Sequence, residues 1–263
     1  MYLVKELLVL STIAAVAGCG NVHTVNSTVI ANQKKQSESV HYELNKIVYN
    51  GHITSDLNNE FFKLYLEHSK LVTEIEITSK GGSIDLGIDL AEFVHKHKLD
   101  VLVSQICLSS CANYVFPAGK NKYLTKHAAL AYHGGAHDLN MNLLDAESQE
   151  AFDQSTPEEQ KKTIEKMNEF FTRIKHREEA FFKSINVSNK LTYIGQNKSL
   201  YEGPADGWYL PLDQMKKLGV TNIKVIGGDW DPTGISEFDF INSKEHHSNP
   251  NGQYIIREIH PKI

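Results

Sequence analysis

Residues 101–133 carry the pattern that decides the fold, and they read VLVSQICLSSCANYVFPAGKNKYLTKHAALAYH. The apolar run at 101–103 indicates a strand, and residues 112–116, after a serine-containing turn, have a helix-like composition. A further turn leads to Ala128-Ala129-Leu130-Ala131-Tyr132, which predicts a second strand that delivers His133. The stretch therefore places a serine where a strand meets a helix, and a histidine at the end of the next strand.

The chain before this stretch alternates between strand and helix. Residues 46–53 form a β-type run closed by Asn-Gly, apolar residues at helical spacing follow between 57 and 66, and 72–77 alternates like a strand. The turn Ser79-Lys80-Gly81-Gly82-Ser83 then opens a helix with an apolar face, and its glycines allow close approach of the backbone to another group. The order of these segments predicts an α/β fold.

The residues of these turns have the chemistry of acyl transfer, which needs an activated hydroxyl, a base and donors for the developing oxyanion. Ser110 at a helix start would present its hydroxyl, and His133 would be the base. The backbone N–H groups of Cys111 and Gly82 would form the oxyanion hole. The pattern thus indicates a serine hydrolase.

At these residues the chain resembles the proteolytic subunit of the Clp protease and, more broadly, the crotonase-like superfamily. Ser79-Lys80-Gly81-Gly82-Ser83 is similar to the family's S-P-G-G-S pattern, with Lys80 in place of proline. Residues 109–119 match its A-S-M-G-A-F-L-L-A-A-G segment without gaps, and 131–135 is similar to its M-I-H-Q-P strand end. The resemblance implies repeated β-β-α units with helices packed outside the sheets, a peptide or protein substrate, and assembly into a homo-oligomer.

The same resemblance indicates which residues would form the triad. The gapless segment puts the family's nucleophile at Ser110, whereas a similar periplasmic group with a C-x-S-x-C motif matches Ser109 by its cysteine spacing. We choose Ser110, because the helix after it fixes the direction of its hydroxyl, and keep Ser109 open. The base is usually oriented by a carboxylate. Residues 210–220 resemble the helix that follows the family's acid, so Asp206 is the nearest candidate, and a plain turn residue is the alternative.

A second class of function is compatible with these residues. In it the crotonase-like fold serves as a binding or scaffolding protein, and Ser110 only caps its helix. The presence of both Ser110 and His133 favours the enzyme, whereas Lys80 in place of proline and the imperfect match at Asp206 favour the binding protein. The balance of these residues favours the enzyme.

The start of the chain predicts secretion and attachment to a lipid. One basic residue precedes the apolar run at 7–17, which is too short to span a bilayer comfortably and is typical of a secretion signal. The run ends in Val16-Ala17-Gly18-Cys19, which resembles a lipobox, so residues 1–18 would be removed and Cys19 would carry the lipid. Gly20 favours the outer membrane over the inner one, on the periplasmic side. An ordinary cleaved signal with an incidental cysteine is the alternative.

Composition limits the remaining possibilities. With 263 residues, 41% hydrophobic and 22% charged, the chain can bury the core of one ordinary domain. The net charge of -5, with scattered Lys and Arg, argues against nucleic acid as a partner. In an exported protein Cys107 and Cys111 predict a disulfide. No regular set of metal ligands is evident, so we expect neither a metal nor a cofactor.

We divide the chain by these changes in composition. Residues 19–39 are polar and are expected to be a tether, and 40–226 would form the folded domain. Within it the capping box Thr156-Pro157-Glu158-Glu159 predicts a long helix over about 156–185. Residues 227–263 would either close over the domain or form an extension.

Overall fold

The structure is a computed structural model, and it describes residues 38–139, 146–200, 206–232 and 256–261. The predicted signal at 1–18, Cys19 and most of the predicted tether lie outside the described residues. In the part of the chain that is described, no helix is both long and apolar enough to cross a membrane.

The strands form one large sheet and one small one. In chain order they are β1 (Ser39–Glu43), β2 (Lys46–Asn50), β3 (Glu74–Ser79), β4 (Asp100–Leu108), β5 (Lys122–Thr125), β6 (Ala129–Ala131), β7 (Gly207–Tyr209), β8 (Ile223–Ile226) and β9 (Ile256–Glu258). The large sheet has the order β1-β2-β3-β4-β5-β8, and β6 pairs with the second half of β4. Its first pair, β1 with β2, is antiparallel, and its other pairs are parallel. Strands β7 and β9 form the separate small sheet.

Helices connect most of the parallel strands. They are α1 (Ser55–His68), α2 (Ile84–Lys96), α3 (Phe116–Ala118), α4 (Ala146–Gln154), α5 (Pro157–Ser184) and α6 (Leu212–Lys217). A π-helix, Cys111–Val115, leads directly into α3. This alternation of parallel strands and helices confirms the α/β class predicted from the sequence.

Local sequence signals set the starts of the helices. The Ser83 hydroxyl caps α2 by accepting a hydrogen bond from the Leu86 N–H at 3.3 Å. Thr156 and Glu159 form the capping box of α5, with Glu159 Oε2 accepting from the Thr156 N–H at 2.9 Å. Where the sequence predicted a helix over about 156–185, the helix runs over Pro157–Ser184.

The main apolar core joins the large sheet to its helices. Alternate residues of β3, Ile75 and Ile77, are fully buried, as are Phe61 of α1 and Leu90 and Val94 of α2. This alternation is the period expected of a strand whose one face is covered by helices.

One part of the fold differs from the sequence-based expectation, and for another the structure decides between two alternatives. Residue 39 was assigned to the tether, but β1 begins at Ser39 and pairs with β2. For residues 227–263 the sequence left open whether they close over the domain. The described part of this segment does contact the domain, because the Trp230 indole N–H donates to the Ala128 carbonyl at 2.9 Å and β9 pairs with β7.

Candidate active site

A strained turn places Ser109 at the carboxyl end of the sheet. β4 ends at Leu108, and Ser109 has a φ of 55°, in the left-handed region that costs a residue with a Cβ about 1–2 kcal/mol. The Ser109 N–H still donates to the Ala131 carbonyl at 3.1 Å, and its own carbonyl accepts from the Asn113 N–H at 2.8 Å. A serine at a sharp strand-to-helix turn presents its hydroxyl above the sheet edge, as a nucleophile requires.

The neighbouring strand brings His133 to this hydroxyl. In the parallel pairing of β4 with β6, Leu108 is opposite Ala131, so the residues just beyond both strands become neighbours. His133 Nε2 lies 2.6 Å from Ser109 Oγ, which is hydrogen-bond distance for a base and its nucleophile. The structure therefore corrects the choice made from the sequence: the serine beside His133 is Ser109 and not Ser110.

Ser110 has a different set of contacts. It is 2% exposed, and its Oγ accepts from the Gly82 N–H at 2.7 Å and donates to the Gly82 carbonyl at 3.1 Å. These two hydrogen bonds join the start of the π-helix to the glycine turn between β3 and α2. The Gly82 N–H, which the sequence suggested as an oxyanion donor, is thus engaged with Ser110. If Ser109 is the nucleophile, the next N–H along the chain is that of Ser110 rather than Cys111.

Gly81 makes the close approach of the two turns possible. Its φ is +93°, and a Cβ at this position would lie 2.7 Å from Ser109 Cβ and 3.0 Å from Ser110 N. Only a residue without a side chain fits here, both for its conformation and for the space. The close backbone approach suggested by the Gly-Gly pair is therefore directed at the serine turn itself.

The disulfide expected from the sequence is present between Cys107 and Cys111, whose Cα atoms are 5.2 Å apart. It joins the end of β4 to the first residue of the π-helix, and so encloses the serine turn. A covalent link across the turn restrains the backbone that holds Ser109. Its sulfur atoms are both used, so Cys111 is not a free thiol.

The charge state of His133 suits a general base. The residue is exposed at the surface, yet desolvation by the protein around its ring lowers the pKa of His133, and the charge of Asp138 acts in the opposite direction. A lowered pKa keeps the imidazole neutral at pH 7. A neutral ring is the form that can take a proton from a hydroxyl.

Asp138 is an acidic neighbour that the sequence reasoning did not identify. Its Oδ2 accepts from the Gly135 N–H at 3.3 Å and from Gln196 Nε2 at 3.4 Å. Gln196 Nε2 also donates to the His133 carbonyl at 3.1 Å, so one amide connects the histidine to the carboxylate. No motif marks Asp138, because it lies in a short 3₁₀ turn after the histidine.

The structure brings the segment of Asp206 close to the histidine. Tyr132 and Trp208 form an antiparallel bridge, with both N–H···O distances at 2.8 Å. A Cβ on Gly207 would lie 3.5 Å from His133 Cβ, and Asp206 is the residue just before it. Asp206 therefore lies in a segment next to His133, and its role as the orienting acid stays a prediction.

A buried carboxylate connects the serine helix to the histidine loop. Glu178 of α5 is 2% exposed, and its Oε1 accepts from the Tyr114 hydroxyl at 2.6 Å and from the Ala136 N–H at 3.0 Å. Asn113 makes a parallel link, since its Nδ2 donates to the Gly134 carbonyl at 2.7 Å. Glu178 could have been noticed in the sequence, because it falls on the apolar stripe of the long helix.

The described residues contain no group of three or more His, Cys, Asp or Glu side chains arranged to hold a metal ion. The groups that the fold does bring together at this site are a hydroxyl, an imidazole, nearby carboxylates and backbone N–H groups.

Comparisons with known proteins find matches among solved structures. No protein-family model matches the chain, and no curated protein sequence matches it. Among solved structures, the chain is similar to a mutant of ClpP1 from Listeria monocytogenes, with 16% sequence identity and a TM-score of 0.39. The match covers 70% of this chain and 92% of that chain.

Proposed function

We propose that this protein is a serine hydrolase that cleaves peptides, with Ser109 as nucleophile and His133 as general base. The observation that carries the proposal is the 2.6 Å contact between Ser109 Oγ and His133 Nε2 at a turn where Ser109 has a φ of 55°. Strain of this kind persists where the surrounding structure holds a residue in place, and it clusters at functional sites. The likeness of the sequence to the Clp proteolytic subunit family supports peptides as the substrate class.

The proposed reaction follows from the positions of these groups. His133 Nε2 takes the hydroxyl proton as Ser109 Oγ attacks the peptide carbonyl carbon, and the protonated ring then gives that proton to the leaving amine. Water, activated by the same ring, cleaves the acyl-enzyme and regenerates the serine. The Ser110 N–H is our candidate donor to the oxyanion. The Gly82 N–H becomes a second donor only if it exchanges the Ser110 hydroxyl for the substrate oxygen.

Two carboxylates are candidates for orienting the imidazole. We assign this role to Asp138, because its charge acts on His133 and the Gln196 amide connects the two residues. Asp206, the candidate from the sequence, is the alternative, because it precedes Gly207 beside His133. Replacement of each aspartate by asparagine distinguishes them.

We further propose that the enzyme is a lipoprotein on the periplasmic side of the cell envelope, attached through Cys19 and delivered to the outer membrane. The lipobox-like sequence at 16–19 supports the anchor, and Gly20 supports the outer membrane. The Cys107–Cys111 disulfide of the folded domain is consistent with an oxidising compartment. Assembly into a homo-oligomer is proposed from the sequence resemblance alone.

One observation favours the second function, a binding protein without catalysis. The Gly82 N–H is engaged with Ser110 Oγ, so in this conformation one of the expected oxyanion donors is already satisfied. In that case the strained Ser109 and its contact with His133 would have no chemical role. Labelling of an activated serine separates the two functions.

The test is labelling of the chain that begins at Gly20 with a fluorophosphonate, a probe that reacts with activated serines whatever the natural substrate. Intact mass and peptide mapping should show one adduct on Ser109, which disappears in Ser109→Ala and His133→Ala. Ser104→Ala is the matched control, because Ser104 belongs to β4, the strand before Ser109, and its hydroxyl is hydrogen-bonded to that of Thr78; this variant should label normally.

Other labelling results would change the assignment. An adduct that persists in Ser109→Ala and disappears in Ser110→Ala would identify Ser110 as the nucleophile. A folded protein without any adduct would support the binding function.

A further inference from the structure

The strand β9 lies close to the candidate active site, in the small sheet that it forms with β7. It pairs in parallel with β7, with Gly207 opposite Ile256 and Tyr209 opposite Glu258, and the Ile259 N–H donates to the Tyr209 carbonyl at 3.2 Å. On its other side β7 forms the bridge to Tyr132, the residue before His133. β7 therefore lies between the histidine strand and β9.

The Ile256 side chain occupies the space next to the histidine. A Cβ built on Gly207 would lie 3.0 Å from Ile256 Cδ1 and 3.5 Å from His133 Cβ. The Ile256 side chain therefore packs against Gly207, on the side where a side chain would be, and close to His133. Ile256 also packs on a small apolar cluster that is separate from the main core. The members of this cluster are Ile106, Leu108, Ala129 and Ala131.

Two members of the cluster are close in the chain to the candidate catalytic residues. Leu108 immediately precedes Ser109, and Ala131 is two residues before His133. Besides Ile256, the partly buried side chain that packs on it is that of Tyr209, whose hydroxyl donates to Glu258 Oε2 at 3.1 Å. The contacts of β9 thus include main-chain pairing, an aliphatic contact and a polar contact, which are of the kind that an extended peptide makes when it adds to a sheet edge.

We propose that the edge of β7 that pairs with β9 is a binding site for an extended peptide, and that residues 256–258 occupy it as an internal ligand. The peptide would carry a branched aliphatic residue in the place of Ile256 and an acidic residue two positions later, in the place of Glu258. That this peptide is a substrate rests on the proposed function, whereas its binding does not. Only molecules in which β9 is displaced from β7 can accept the peptide. The apparent affinity for the peptide is therefore the intrinsic affinity multiplied by the fraction of such molecules.

The first experiment measures binding to the whole mature chain. A fluorescent peptide that copies residues 252–260, GQYIIREIH, is titrated by anisotropy into proteins that all carry Ser109→Ala, so that cleavage cannot affect the result. Ile256→Asp should bind the peptide at least about tenfold more tightly than the protein with an intact tail, because the internal strand is weakened. Ile226→Asp is the matched control: Ile226 is an exposed isoleucine of β8, 50% accessible, and its change should have no effect.

The peptide itself supplies a second control. A copy with aspartate in the place of Ile256 should bind none of the proteins, because the acid cannot occupy the apolar cluster. Equal affinity of the original peptide for all the proteins, or absence of binding to Ile256→Asp, would overturn the proposal.

A measurement on the unsubstituted chain keeps the test valid if Ile256→Asp does not fold. Hydrogen exchange of the Ile259 amide, which is bonded to the Tyr209 carbonyl, should accelerate when the peptide is added in excess, because β9 leaves β7. Exchange that stays unchanged at the highest peptide concentration would contradict displacement. If the peptide binds but no serine is labelled by fluorophosphonate, the proposed peptide-binding site is supported and the proposed hydrolase activity is contradicted.

Discussion

Ser109 and Ser110 are adjacent in the chain, but their hydroxyls have different surroundings. Ser109→Gly removes the hydroxyl and the strain of a φ of 55°, so its free energy of unfolding should be equal to that of the original protein or up to about 1 kcal/mol higher. Ser110→Ala removes both hydrogen bonds to Gly82 and should lose about 1–2 kcal/mol. Urea unfolding measures both, and a Ser109→Gly protein less stable than Ser110→Ala would contradict the assignment of strain.

The carboxylate next to His133 can be identified from a pH profile. If His133 is the base, its neutral ring is the reactive form, and because desolvation lowers its pKa, the fluorophosphonate labelling rate should rise with pH through a midpoint below the usual histidine value. Asp138 raises the pKa of His133, so Asp138→Asn should move this midpoint to lower pH. If Asp206→Asn moves it and Asp138→Asn does not, the orienting carboxylate is Asp206.

The one-residue correction at the serine turn shows the limit of the sequence at this scale. Ser110 was preferred because an alignment without gaps assumes that the helix after the serine is regular. The segment is instead a π-helix, Cys111–Val115, preceded by Ser109 in a left-handed conformation. Neither deviation has a signal in residue type, and together they decide which hydroxyl faces His133. The cysteine spacing, which favoured Ser109, was the more direct guide because a disulfide encloses this turn.

At the scale of elements, α5 joins the serine helix to the histidine loop through Glu178. Burial raises the pKa of Glu178, while its hydrogen bonds to Ala136 and Tyr114 act in the opposite direction. The folded state therefore holds the proton more tightly than the unfolded state, and the stability contributed by this group falls as the pH rises above about 4.5. Glu178→Gln removes this titration. The melting temperature of the variant minus that of the original protein should therefore be larger at pH 8 than at pH 5.

Glu179→Gln is the matched control, because Glu179 is an exposed neighbour on the same helix. It should shift the melting temperature equally at both pH values. A Glu178→Gln protein whose relative melting temperature is the same at pH 5 and pH 8 would show that Glu178 does not titrate in the way that its burial implies.

The disulfide is the second link at the scale of elements. It closes a short loop around the serine turn, and for a loop of this length the entropy model gives about 2 kcal/mol of stabilisation. The double variant Cys107→Ala with Cys111→Ala should lose about this much stability and should label more slowly, because the turn is less restrained. Unfolding curves and labelling rates test both effects. A labelling rate equal to that of the original protein would show that the turn is held by its hydrogen bonds alone.

At the scale of the whole molecule, the sequence indicated the alternation of strands and helices because their hydrophobic periodicities differ. It did not indicate the pairing of β7 with β9, since each strand is short and their partners are far apart in the chain. Long-range pairing depends on contacts that no local pattern records. For the same reason Asp138 and Gln196 could not be placed beside His133 before the fold was known.

Attachment to the membrane is a property of the whole molecule that the lipobox-like sequence predicts. A single acyl chain gives only marginal binding, with about 0.8 kcal/mol for each buried methylene, whereas a diacylglyceryl group on Cys19 supplies two chains and stable anchorage. The original protein should therefore incorporate an alkyne fatty acid and sediment with membranes, and Cys19→Ala should do neither. Cys107→Ala is the control that changes another cysteine and should keep the label. A soluble, unlabelled protein that begins near residue 19 would identify an ordinary cleaved signal in place of a lipid anchor.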